Sequence, residues 1–399
     1  MEAQPISASK DMEPTLAWLI DGARSATSPE ALTQQLCERL VAGGFAIWRA
    51  AVFIRTLHPS VFGRMFVWRR GEEVHVFDAP LDRVESEVFQ SSPIPRVVRT
   101  GETIRRRICD PDCPADYPIL ADLAAEGVTD YVAAPLDFTD GARHVLTLTT
   151  KQAGGFSAVD MERIALLLPA VSRVTEVRVL RRTAVSLLDL YVGHDAGERI
   201  LAGKIQRGDT EEIRAAIWLS DMRGFTRLAD QAPPERVIER LNAFFDSLAQ
   251  PIEAHGGSVL KFMGDGMLAI FPVRGDDSAI EARARALAAA RNAVDLVASF
   301  NESDAAQPDG PLRFGLALHF GEALYGNIGG GSRLDFTCIG PAINLAARIE
   351  KVAARLGRTV LASAAFAEGL TGEFEALGAF ELSGFQAPQE LYGLPGEGG

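Results

Sequence analysis

The sequence predicts an α+β protein of two globular parts joined by a helical connector, and three observations carry that prediction. The chain has 399 residues, and at about 150 residues per domain it has room for two or three. Short β-branched and aromatic runs bounded by turn residues alternate with apolar residues spaced at three or four, so strands and helices interleave in both halves. A long helical periodicity beginning near 157 stands between a first group of strands and a second.

Composition narrows the function classes. Apolar residues make up 47% and charged residues 23% of the chain, an ordinary globular mix that excludes a disordered chain. The 40 Lys and Arg against 53 Asp and Glu give a net charge of −13, which argues against a nucleic-acid backbone as partner. No uncharged apolar run approaches the length of a membrane span. The start, MEAQPISASKDMEPT, lacks the basic and apolar regions of a secretion signal. Cys37, Cys109, Cys113 and Cys338 are too few and scattered for a disulfide framework, so a cytoplasmic protein with reduced thiols is expected.

Residues 1–24 read as a polar lead-in turning into a short amphipathic segment with Leu16, Leu19 and Ile20. Ser28 followed by Pro29 opens a helix carrying Leu32, Leu36 and Leu40, which stops at Gly43-Gly44. Strands are expected at 46–57, 62–69 and 73–77, with a turn at Arg70-Gly71. A polar section over 105–116 leads to a short helix at 119–126. Strands at 130–134 and 144–150 then flank a turn at Asp140-Gly141. Ser157 is placed to cap the long helix, with Asp160 three residues on as a capping-box variant. The stretch GVTDYVAAPLDFTDGARHVLTLTTKQAGGFSAVDMERIALLLP, with the helix and strands before it, resembles a GAF sensory domain over 25–169. That resemblance implies a small-molecule or dimerisation module whose ligand is not legible. Cys109 and Cys113 are four apart with no His at metal-site spacing, and read as structural.

The connector covers 170–210. Ile164, Leu167, Val171, Val174 and Val177 recur at helical spacing and suit packing on the same domain or on a partner helix. Pro169 is expected to kink or split this helix, Gly193 to stop it, and a second helix to follow at 196–202.

The chemistry lies in the second half. A buried strand, AAIWLS, ends at Asp221, followed by a turn and helix start at Gly224, Phe225 and Thr226 whose backbone N–H groups suit phosphate oxygens. The next helix carries Val237, Ile238, Leu241, Phe244, Phe245, Leu248 and Ile252 on one face and stops at Gly256-Gly257. Gly264-Asp265-Gly266 is the turn of a hairpin. Asp221 and Asp265 repel one another at a common rim unless divalent cations compensate, and read singly they are a strand-end cap and a turn Asp. Residues 312–357 read as two strands, a glycine-rich loop at 329–331, another strand and a helix. On that helix Asn344 and Arg348 share a face.

SDMRGFT, KFMGDGMLAIF, GEALYGNIG and DFTCIGPAINLAARIE, in this order over 211–395, resemble the catalytic domain of class III nucleotidyl cyclases. The resemblance implies a ferredoxin-like βαββαβ domain. It places Asp221 and Asp265 at the two metal-carboxylate positions, and Lys261 and Thr337 at the base-recognition positions. Asn344 and Arg348 fall where the ribose is oriented and the reacting phosphate stabilised. The neighbouring Asp335 does not have the spacing for base recognition. Two Mg²⁺ or Mn²⁺ ions per site are implied, as is a homodimer in which the metal carboxylates of one subunit face Lys261, Thr337, Asn344 and Arg348 of the other. In FELSGFQAP, Ser383 stands where many members carry a triphosphate-binding Lys. Lys261 suits adenine N1, so the expected reaction is ATP to 3′,5′-cyclic AMP and pyrophosphate. A guanylate cyclase and a non-catalytic nucleotide-binding sensor are the alternatives. His255 and His319 read as structural.

Overall fold

The structure is a computed structural model and describes residues 9–275, 277–303, 310–331 and 333–397. The first eight residues of the expected lead-in lie outside the described residues. Two compact units divide the chain between Leu187 and Leu188.

In the first unit, α1 (Ser9–Ile20) and α2 (Pro29–Ala42) precede β1 (Arg49–Arg55), β2 (Val61–Arg69) and β3 (His75–Pro80). Next come α3 (Glu87–Gln90), α4 (Pro93–Thr100), β4 (Ile104–Arg106) and α5 (Ile119–Ala125). The series ends with β5 (Asp130–Asp137), β6 (Arg143–Thr150) and α6 (Ala158–Val192), the last five residues of which, 188–192, belong to the second unit. The strands form one antiparallel sheet in the order β3-β2-β1-β6-β5-β4. The pleat of β1 divides the core: Ala50, Val52 and Ile54 pack with Leu36, Ile164 and Leu167 on one face, and Phe53 packs with Val97, Leu120 and Tyr131 on the other.

Local signals set several boundaries. Ser28 Oγ accepts from Ala31 N and Pro29 opens α2. Ser157 and Asp160 cap α6 reciprocally, Asp160 N donating to Ser157 Oγ at 3.1 Å and Ser157 N to Asp160 Oδ2 at 2.9 Å. Pro169 does not split α6, which runs unbroken for 35 residues. Ala165, whose carbonyl loses its partner there, is on an exposed face where water can replace it. Ile164, Leu167, Val171 and Val174 face the first unit's core, whereas Val177 is exposed. The polar section contains β4, and α3 and α4 were not foreseen, because neither is long enough to show a helical period. Ile20 is exposed while Leu19 is buried, so only one of that pair belongs to the core.

The second unit contains α7 (His194–Leu201), β7 (Thr210–Met222), α8 (Phe225–Gln231), α9 (Pro234–Ala254), β8 (Ser258–Met263) and β9 (Gly266–Pro272). It continues with α10 (Ala279–Ser303), β10 (Phe314–Gly329), β11 (Leu334–Ile339), α11 (Pro341–Leu356) and β12 (Val360–Ser363), then α12 (Ala364–Ala367), β13 (Glu375–Phe380) and β14 (Gln389–Gly393). The sheet order is β13-β14-β12-β10-β7-β9-β8, with β11 paired to β10. Its segment β10-β7-β9-β8 is antiparallel throughout and has the strand order of a βαββαβ unit.

Phe244, Leu248 and Ile252 of α9 and Ala286 and Ala290 of α10 pack against Trp218, Phe271 and Leu316 of the sheet. Ile238, expected on the buried face of α9, is exposed. The two strands expected after 312 are one strand of 16 residues. β10 stays continuous because β7 pairs with it along thirteen residues, through Gly321 and up to Gly326, and β11 pairs with it on to Gly329. Among the described residues no helix is long and apolar enough to cross a membrane.

Candidate active site

Asp221 lies at the C-terminal end of β7, paired with Gly266 of β9 on one side and Gly315 of β10 on the other. Both neighbours lack a side chain, which leaves room for the carboxylate. A Cβ on Gly266 would stand 3.1 Å from Asp221 Oδ1. Asp265 occupies the β8–β9 turn and is locked to β7 by Met222 N donating to its carbonyl at 3.0 Å. The two expected metal carboxylates are therefore brought together. Burial pushes the Asp221 carboxyl up to about 6, and the charges of Asp265 and Glu350 add to the rise against the opposing Arg223.

Glu350, on α11, was not singled out in the sequence. It and Arg223 both approach Gly315, where a Cβ would stand 2.8 Å from Glu350 Oε1 and 2.9 Å from Arg223 Nη2. Arg223 is fixed by donating to Phe314 O at 3.1 Å and Arg358 O at 2.5 Å. Burial raises the Glu350 carboxyl and lowers the Arg223 guanidinium.

Gly224 caps α8 at φ +76°, a conformation that favours glycine. Phe225 packs on the core and Thr226 is exposed. Beside this turn a cleft is lined by Arg223, Arg227, Arg240 and Arg313 together with Gly224. Arg223 N donates to Arg313 O at 2.8 Å, which ties the two rims. This basic cleft gives no sequence signal, because its arginines come from the β7–α8 turn, α8, α9 and the residue before β10.

Lys261 sits on β8 directly after a β-bulge between Val259 and Lys261. Its ammonium reaches Asp335 Oδ2 of β11 at 3.3 Å. Thr337, on the same strand, is buried at 4% exposure, and its Oγ1 has no hydrogen-bond partner among the described residues. Asp335, set aside on spacing, is thus the residue that meets Lys261.

Asn344 and Arg348 lie one turn apart on α11, Asn344 exposed and Arg348 half-buried. Neither side chain has a hydrogen bond or ion pair among the described residues. Ser383 is exposed in the turn between β13 and β14. His319 is buried with Nδ1 2.7 Å from Ser363 Oγ, and His255 Nδ1 lies 2.9 Å from Pro251 O. Cys109 and Cys113 are free thiols.

The donor set fits a divalent cation shared with a ligand. Among the described residues no group of three or more His, Cys, Asp or Glu forms a protein-only cage. Two adjacent carboxylates beside an arginine-lined cleft instead suit an ion such as Mg²⁺ that keeps waters and takes phosphate oxygens.

Residues 209–396 match the family model of the adenylate and guanylate cyclase catalytic domain. Adenylate cyclase 1 of Rhizobium meliloti is 27% identical over 297 residues, 71% of this chain and 43% of the relative. An uncharacterized protein of Mycobacterium tuberculosis is 34% identical over 179 residues, 44% of this chain and 31% of that protein. The chain spans less than half the length of these curated relatives. Among solved structures, the adenylyl cyclase CyaB from P. aeruginosa is similar at 23% identity and a TM-score of 0.41, covering 46% of this chain and 95% of that one.

Proposed function

We propose, from the match of residues 209–396 to the family model of the adenylate and guanylate cyclase catalytic domain, that the protein is an adenylate cyclase converting ATP to 3′,5′-cyclic AMP and pyrophosphate at a homodimer interface. The observation that carries this reading is the convergence of Asp221 and Asp265 beside the arginine-lined cleft. Two Mg²⁺ or Mn²⁺ ions held by these carboxylates would activate the ribose 3′-hydroxyl and neutralise the triphosphate.

The chain's own groups supply the rest. Arg223, Arg227 and Arg313, with the turn at Gly224, Phe225 and Thr226, hold phosphate oxygens, and serve where Ser383 replaces a lysine. Arg348 donates to the α-phosphate as charge develops there, and Asn344 orients the ribose. Lys261 donates to adenine N1 and Thr337 accepts from the exocyclic amine. The first unit is a GAF-like regulatory domain that responds to an unidentified small molecule.

A cyclic-nucleotide assay of the full chain, with ATP and GTP offered separately in Mg²⁺ or Mn²⁺, tests the reaction. Cyclic AMP from ATP is expected, and absence of any cyclic product overturns the enzyme reading. Mixing Asp221→Ala with Arg348→Ala tests the shared site. Each homodimer is inactive, and random exchange makes half the dimers heterodimers with one intact site of two. About a quarter of wild-type activity should return. No recovery in a mixture shown to contain heterodimers removes the split site.

The guanylate cyclase reading is favoured by one observation, the Asp335 carboxylate beside Lys261, which is an acceptor that guanine N1–H could use.

A further inference from the structure

Lys261 and Asp335 are partners across two strands that the sequence separates widely. The bulge at Val259/Lys261 shifts β8 against β9, so Lys261 lies opposite Leu268 rather than one residue further along. The ammonium reaches the β11 carboxylate at 3.3 Å. Asp335 and Thr337 are two apart on β11 and share one face of its pleat. Thr337 is the unsatisfied member: at 4% exposure, its hydroxyl has no partner among the described residues. A buried hydroxyl without a partner is costly, and it points to a ligand group that completes it.

The donor and acceptor chemistry of these three groups is unequal. A threonine hydroxyl donates or accepts as it rotates, so it matches the amine of adenine and the carbonyl of guanine alike. An ammonium only donates and therefore suits adenine N1. A carboxylate only accepts and therefore suits guanine N1–H. Thr337 alone does not choose the base. The choice falls to whichever charged group faces N1.

We propose that Asp335 is a positioning and specificity-determining residue of the purine pocket. Its carboxylate engages one N–H of Lys261, which aims the remaining donors at N1 and keeps the carboxylate itself from accepting guanine N1–H. The ion pair, more than Thr337, then sets the preference for ATP. This inference rests on the cyclase reading of the same pocket.

The test uses the full chain with Mn²⁺. It compares wild type, Asp335→Ala, Asp335→Asn, Lys261→Ala and the Lys261→Ala/Asp335→Ala double variant. KM and kcat are measured with ATP and GTP, and fluorescent ATP and GTP analogues are titrated at equilibrium. Asp335 is 60% exposed, so its variants should keep the wild-type melting temperature. Asp335→Ala and Asp335→Asn should raise KM for ATP roughly fivefold to tenfold with kcat within about twofold, and lower the ATP-to-GTP binding ratio. Lys261→Ala should shift binding toward the GTP analogue, because the freed carboxylate accepts from guanine. The double variant should lose that gain.

An unchanged ATP KM and an unchanged binding ratio in both Asp335 variants overturn the proposal and leave the cyclase reading standing. Loss of the GTP gain in the double variant supports it, and retention of that gain overturns it. A wild-type protein that binds both analogues yet forms no cyclic product overturns the cyclase reading, while the binding ratios still judge Asp335. Failure to bind either analogue overturns both.

Discussion

In the first unit the fully buried carboxylate of Asp130 accepts from Arg105 Nη2 at 2.7 Å and from Phe156 N at 3.0 Å, and Glu176 accepts from Thr139 N at 2.8 Å and Arg173 Nη1 at 2.5 Å. In the second unit the half-buried carboxylate of Asp221 has Asp265 and Glu350 as charged neighbours, with only Arg223 opposing them. The first arrangement is closed: donors surround each acid, and the network holds a sheet to a helix. The second is open, and its repulsion would be relieved by a cation of the kind the proposed function requires. Buried charge in one unit supports the fold, whereas in the other it is left uncompensated by the chain's own donors.

The largest effect expected from breaking this contrast is on activity. On the proposed function, Asp221→Asn should lower cyclase turnover by ~10³-fold or more, about 4 kcal/mol, while the thermal melting point of the second unit stays level or rises. Removing one of two repelling acids relieves strain there, so a large loss of stability with little loss of turnover would reverse the assignment.

Asp130→Ala should have the opposite profile. It leaves the Arg105 guanidinium and Phe156 N without their acceptor, and should cost the first unit about 3–5 kcal/mol. Urea unfolding followed by tryptophan fluorescence reads this, since Trp18, Trp48 and Trp68 lie in the first unit and Trp218 in the second. An unshifted first-unit transition would show that the network does not support the fold.

Gly315→Ala sharpens the comparison inside the second unit. The added Cβ meets Glu350 Oε1 and Arg223 Nη2 below 3 Å, so a stability loss of about 1–3 kcal/mol is expected. Activity should fall with it, because Gly315 is the register partner of Asp221. Shortening the obstructing acid with Glu350→Ala should return part of the lost stability. If the double variant is no more stable than Gly315→Ala, the crowding does not come from Glu350.

The smallest effect is one in which the two units agree. Burial lowers both His144 and His319 to about 4. Each is neutral in the fold and titrates near 6.5 when unfolded, so its stabilisation is complete above about 6.5 and is lost as pH falls toward about 4. His319 alone should account for about 2 kcal/mol of lost stability at pH 5. Urea midpoints at pH 7 and pH 5 check this. His319→Gln should remove the acid-side loss from the second-unit transition, leaving the opposite trend of the raised Asp221 carboxyl, and should leave the pH dependence of the first unit unchanged.

Much of the fold and of the candidate site was legible because it is local. The Ser157 and Asp160 cap and the stop at Gly193 depend on residues a few positions apart. So do the Gly264-Asp265-Gly266 turn and the one-turn spacing of Asn344 and Arg348, and fixed geometry along the backbone makes such spacings predictive. Tertiary structure alone decided what faces what across strands. A bulge that no residue pattern announced aims Lys261 at Asp335. Sheet register sets Asp221 between two glycines. Four arginines from separate elements line one cleft. Each of these depends on register and packing between segments far apart in the chain, where a shift of one residue sends a side chain to the opposite face.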